Sequence, residues 1–124
     1  MTVSVNMDFT EITIDDLEDL DKASLDSLTF GVIGLDRDDM ALIYNRTESQ
    51  AAGLSPEQVI GTPFFLTTAP CMNNFLVAQR FVDEPELDSI IDYVLTLRMR
   101  PTPVRLRLLQ SLTSMHRYIL VQRK

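Results

Sequence analysis

Hydrophobic positions change their period along this chain. Between Asp15 and Leu28 the apolar residues Leu17, Leu20, Leu25 and Leu28 recur at loose helical spacing among many carboxylates, which predicts one or two short amphipathic helices. Thr29 to Leu35 and Met40 to Asn45 are runs of β-formers around the polar turn Asp36-Arg37-Asp38-Asp39, the pattern of a β-hairpin. Asn45 through Gln50 opens a helical stretch that Gly53 breaks. Ser55-Pro56-Glu57-Gln58 reads as an N-cap with proline at the first helical position, starting a turn of helix that stops at Gly61. Pro63 and Pro70 then prevent a long regular element, so Cys71 falls on a loop or at a helix start. Phe75, Leu76, Ala78, Gln79 and Phe81 predict a helix ending near Asp83-Glu84-Pro85-Glu86.

The last third reads as three strands: Leu87 to Met99, Val104 to Ser111 and Tyr118 to Gln122. Pro101-Thr102-Pro103 is expected to be the connection of the first two. In Val104-Arg105-Leu106-Arg107-Leu108 apolar and basic residues alternate strictly, the signature of a half-buried antiparallel strand. The alternation places Arg98, Arg100, Arg105 and Arg107 toward solvent. Five antiparallel strands with helices gathered on one side make an α+β domain.

Composition narrows the function. With 124 residues and a 45% hydrophobic share, the chain suits one domain around one core. A net charge of −7 works against nucleic acid and anionic membrane surfaces as partners. The first twenty residues lack the basic and apolar regions of a secretory signal, and no stretch approaches a membrane span, so a cytoplasmic protein is expected. A lone cysteine, Cys71, forms no internal disulfide. No metal-ligand spacing or phosphate loop is present. The single histidine, His116, sits in an expected turn, reads as a surface residue, and makes an unconvincing base for a Cys71 nucleophile. The chain therefore does not read as an enzyme. By themselves Cys71 fits a small core hydrophobe and Tyr44 fits a packed strand end.

The order of residues carries more. Leu28-Thr29-Phe30-Gly31-Val32-Ile33, then Tyr44-Asn45 followed by Glu48, then Gln58-Val59-Ile60-Gly61 with Phe64-Phe65, Ala69-Pro70-Cys71, and Met99-Arg100-Pro101-Thr102 resemble the photoactive yellow protein family of PAS domains, in the same order and nearly the same spacing. The resemblance covers about Asp15 to the C-terminus. It implies a PAS fold: a central five-stranded antiparallel sheet flanked by helices, with residues 1–28 as an N-terminal helical cap and 29–124 as the core. It also implies p-coumaric acid (4-hydroxycinnamic acid), thioester-linked to Cys71, as the chromophore of a blue-light receptor. Phe64, Phe65, Ala69, Pro70, Leu95 and Met99 would line the pocket. Tyr44 and a protonated Glu48 would donate to the phenolate, since a buried anion without donors is costly. Light would isomerise the chromophore, Glu48 would give up its proton, and the acidic cap would detach.

Two positions depart from the family. A threonine that usually bonds the tyrosine is replaced by Ala52, and an arginine covering the phenol is replaced by Leu54. A greasier pocket mouth, a less rigid Tyr44 and a raised phenolate pKa are expected. The rival reading is a PAS-type ligand-binding or dimerisation module without chromophore. No output segment is recognised, so signalling is expected to pass to an unknown downstream protein, from a monomer or weak dimer.

Overall fold

A computed structural model describes residues 8–97 and 99–124. The acidic N-terminal stretch forms two short helices, α1 (Ile14–Asp19) and α2 (Lys22–Asp26). Each begins where a side chain satisfies free backbone donors: Thr13 and Asp16 form a reciprocal capping box, and the Asp21 carboxylate accepts from the Ser24 N–H. The hairpin follows as β1 (Gly31–Leu35) and β2 (Ala41–Tyr44), then α3 (Arg46–Ala52) and α4 (Pro56–Val59). Asn45 caps the start of α3, and Gly53 ends it at φ 73°, a left-handed backbone that glycine adopts at little cost. The two prolines limit residues 64–72 to a wide π-helical turn (Phe64–Thr68) and a single tight turn (Pro70–Met72). α5 (Ala78–Asp83) leads to β3 (Leu87–Leu97), β4 (Arg100–Gln110) and β5 (Arg117–Arg123).

The strands form one antiparallel sheet in the order β2-β1-β5-β4-β3. The N-terminal hairpin thus closes against the last strand, which puts β1 and β5 near the middle. On one face Ile33, Leu106, Leu108, Ile119 and Val121 pack with Phe64, Phe65, Met72 and Phe81 from the helical side. On the other, Val32, Leu109, Tyr118 and Leu120 are covered by Phe9, Ile12, Leu17, Leu25 and Leu28. Strand alternation supplies both sets, because successive side chains point to opposite faces.

Three expectations are corrected. Pro101-Thr102-Pro103 does not connect two strands but lies inside β4, paired with Thr96, Leu95 and Val94. β5 pairs with β4 only from Val104 onward, so here β4 has a ladder neighbour on β3 alone, and a proline lacking its N–H is tolerated on the open side. The pairing runs on to Leu97 opposite Arg100, and Met99 takes φ 58°. Second, Phe75 and Leu76 are exposed and precede α5 rather than forming its buried face.

Third, Arg107 does not face solvent. It alternates onto the face that the N-terminal segment covers and is 4% exposed, donating from Nη1 to the Phe9 carbonyl (3.0 Å) and the Ile12 carbonyl (2.6 Å). Its Nε and Nη2 bind the two Asp88 carboxylate oxygens at 2.9 and 3.0 Å. Arg105, half-buried, lies over the Phe9 ring at 5.4 Å. Arg100 is exposed as expected; Arg98, like residues 1–7 of the cap, lies outside the described residues.

Candidate functional site

The expected pocket residues converge from four parts of the fold. Tyr44, Ala52, Phe64, Phe65, Ala69 and Leu95 are buried in one apolar cluster, with Leu54 and Cys71 packed against it. The wide turn presents Phe64 and Phe65 edge to face, centroids 5.4 Å apart. The Phe64 N–H donates to the Asp39 carbonyl (2.9 Å), and Ala41 exchanges bonds with Thr62 and Gly61, so that this turn is tied to the open edge of β2. Pro70 is exposed and shapes the backbone next to Cys71 rather than lining the cluster. Met99 lies apart from the group: just before β4, its side chain is 93% exposed.

Glu48 is held deep in the fold at 1% exposure. The reason lies in Gly31, on β1 beneath α3: a methyl group there would meet the Glu48 Cβ and Cδ at 3.0 Å and its Oε1 closer still. Asn45 fixes the same turn. Its Oδ1 accepts from the Val32 N–H (2.9 Å) and the Glu48 N–H (3.1 Å), and its Nδ2 donates to the carbonyls of Leu25 (2.8 Å) and Phe30 (3.2 Å). One buried amide therefore joins α2, β1 and the start of α3.

The Glu48 carboxylate accepts two bonds from Arg123 at the end of β5, Nη1 to Oε1 at 2.7 Å and Nη2 to Oε2 at 3.2 Å. Burial pushes the carboxyl above its ordinary range and the guanidinium pulls it back; burial is the larger effect. Tyr44 feels the same surroundings: burial, then the Glu48 charge, raise its phenol well above the usual value, while Arg123 opposes them. Alanine at position 52 offers the Tyr44 hydroxyl no side-chain partner.

Cys71, the one free thiol, is half-buried. Its carbonyl accepts from the Tyr93 hydroxyl of β3 (2.6 Å) and from Asn74 Nδ2 (3.0 Å). The Asn74 side-chain oxygen also takes the N–H groups of Leu76 and Val77, so the loop after the cysteine is stapled in place. His116 is far from bare: its ring lies 3.1 Å from the Glu18 carboxylate at the end of α1.

No family model matches the chain. The photoactive yellow protein of Rhodothalassium salexigens is 34% identical to it over 124 residues, spanning 94% of this chain and 99% of the relative, and that of Halochromatium salexigens is 32% identical over the same span. The chain belongs to the photoactive yellow protein family. The photoactive yellow protein domain of the sensor histidine kinase Ppr from Rhodospirillum centenum superposes with a TM-score of 0.80 at 33% identity, covering 88% of this chain and 98% of that domain. A sensory-box kinase domain from Geobacter sulfurreducens, at 11% identity and a TM-score of 0.67, shares the fold. The sheet and its helices are thus those of a PAS domain, and the family is one of photoreceptors.

Within this family frame, Arg123, Tyr93 and Asn74 were not singled out by sequence. Asn45 was named as the start of a helical stretch and beside Tyr44, but not as a junction. Arg123 lies 75 residues from Glu48, and only the pairing of β5 with β1 beneath α3 brings it there.

Proposed function

We propose that the chain is a blue-light photoreceptor that carries p-coumaric acid as a thioester on Cys71. The observation that supports this most directly is the grouping itself: buried Tyr44, close enough to Glu48 to feel its charge, belongs to the apolar cluster on which Cys71 packs. A phenol and a carboxyl at a buried apolar site suit the ring oxygen of a bound aromatic acid, because a buried oxyanion needs donors. The donor set suits such a group: one thiol, two acidic hydrogen-bonding groups and an apolar wall.

Attachment replaces the thiol proton of Cys71 by the acyl carbon of an activated acid, with the activating group leaving and the proton passing to solvent. Asn74 and Tyr93 hold the Cys71 carbonyl, which fixes the backbone that carries the thiol. Phe64, Phe65, Leu95 and Leu54 exclude water, and a dry site protects a thioester from hydrolysis. When bound, the chromophore supplies visible absorption and a double bond that light isomerises. Tyr44 donates to its ring oxygen, and Glu48 holds or releases the proton that decides its charge. A relative that is part of a sensor histidine kinase supports a signalling protein as the receiver.

Expression with activated p-coumaric acid tests the proposal. A yellow product that bleaches in blue light, with a mass gain lost in Cys71→Ser, is expected. A wild-type chain that takes up no adduct overturns it in favour of a module without chromophore.

A further inference from the structure

Arg123 joins solvent to the buried end of the site. Its side chain is 25% exposed against 1% for Glu48, and it lines an open groove of about 330 Å³ with Gln50, Ala52, Leu95, Arg100 and Thr102. Leu54 leaves the α3–α4 connection without a cation, yet a guanidinium reaches the Glu48 carboxylate from the C-terminal end of the chain. Contact with both arms of an arginine favours the ionised, accepting form of a carboxyl against the burial that opposes it. In that form it has no proton to give to a second oxyanion.

We propose that Arg123 is a positioning residue that sets the charge of Glu48 and, through it, decides whether the bound ring oxygen is a phenol or a phenolate. The ring-oxygen half rests on the chromophore reading above; the Glu48 half concerns the chain as it stands. One proton is shared between Glu48 and the ring oxygen. With Arg123 on Glu48 the proton stays on the ring oxygen, and the adduct is colourless in the visible. With Arg123 turned into the groove, Glu48 takes the proton, donates it in a hydrogen bond, and the ring is a yellow phenolate.

The other charged groups around this end are accounted for. Tyr44 approaches from β2, and Arg100 lines the same groove from β4. Arg105 is held by Gln122 and by the Phe9 ring, Lys124 by Asp92, and Arg46 in α3 is exposed. Arg123 is therefore the cation that contacts Glu48 among the described residues.

The carboxyl carbon of Glu48, followed by nuclear magnetic resonance in the chromophore-free protein, tests the first half. Its midpoint is expected to rise by about one pH unit or more in Arg123→Gln, because an opposite charge in contact shifts a carboxyl by about that much, and by less in Arg123→Lys, which keeps the charge. Equal midpoints in the three proteins overturn the proposal. In the adduct at neutral pH, the share of the ultraviolet-absorbing protonated form is expected to fall in Arg123→Gln and to stay near wild type in Arg123→Lys; equal shares overturn the ring-oxygen half. A Cys71 that takes no acyl group defeats the photoreceptor reading and this second half together, while the chromophore-free titration still decides the first.

Discussion

Ala52 shows how one missing hydroxyl changes a site. It occupies a buried place on the last turn of α3, against the cluster that contains Tyr44, and it offers the Tyr44 hydroxyl nothing to bond. A neutral hydrogen bond is worth about 1 kcal/mol net, and a donor that is itself held by a second hydroxyl is both better aimed and more polarised. In the proposed adduct, supplying that hydroxyl through Ala52→Thr is expected to strengthen the bond that Tyr44 would make to the ring oxygen and to stabilise its ionised form. The acid midpoint of the yellow colour should then fall by up to about one pH unit, since 1.4 kcal/mol corresponds to one unit. An unchanged or higher midpoint in a spectrophotometric titration would show that Tyr44 is already oriented by packing alone.

At the scale of elements, the alternation of Val104 to Leu108 was readable and its two faces are correct, but what covers the second face was not. Arg105 and Arg107 look like solvent residues because arginine usually is one; here their stems and guanidiniums meet Phe9 and the backbone of residues 9 and 12. That segment precedes the periodic stretch, so nothing in its pattern announces a packed strap. The same limit hid Arg123: short-range periodicity says which face a residue takes, whereas partners come from strand order. Part of the local chemistry was legible, as the cap at Ser55 and the stop at Gly53 show, whereas the two prolines at 101 and 103 looked like a turn and are strand residues. The strap is expected to depend on Arg107. Arg107→Met keeps much of the apolar stem but leaves two buried carbonyls unpaired, at a cost of about 3 kcal/mol. Hydrogen exchange should report faster exchange across residues 8–28 with little change in β5; unchanged protection there would assign the strap to its apolar contacts.

For the whole molecule, the buried carboxyl of Glu48 couples charge to stability. Its pKa is raised in the fold, so the stability it contributes is fully present below the ordinary carboxylate value and is lost as pH rises through the raised value. Asp26 acts in the opposite window: the Lys22 ammonium, then the Arg46 N–H, lower its pKa, and its contribution is lost as pH falls. Urea unfolding across pH should therefore show a decline as pH rises above the ordinary carboxylate value, no steeper than about 1.4 kcal/mol per pH unit for one proton, that Glu48→Gln removes while leaving the loss at lower pH in place; a decline unchanged in that variant would place its origin elsewhere. In the proposed photocycle the same charge would link the site to the N-terminal helices. Loss of the Glu48 proton in the light would put a carboxylate on the turn whose N–H is held by Asn45, and Asn45 also holds the Leu25 carbonyl at the end of α2. Arg123 would lessen the resulting strain, because it can take up the carboxylate as in the bidentate pair, and a buried charge left without a partner costs several kcal/mol. Light should then lower hydrogen-exchange protection of residues 8–28 modestly in the wild type and more strongly in Arg123→Gln. Equal loss in both proteins would separate Arg123 from the signal, and no light-dependent loss in either would mean that the Asn45 junction does not transmit the charge of Glu48 to α2.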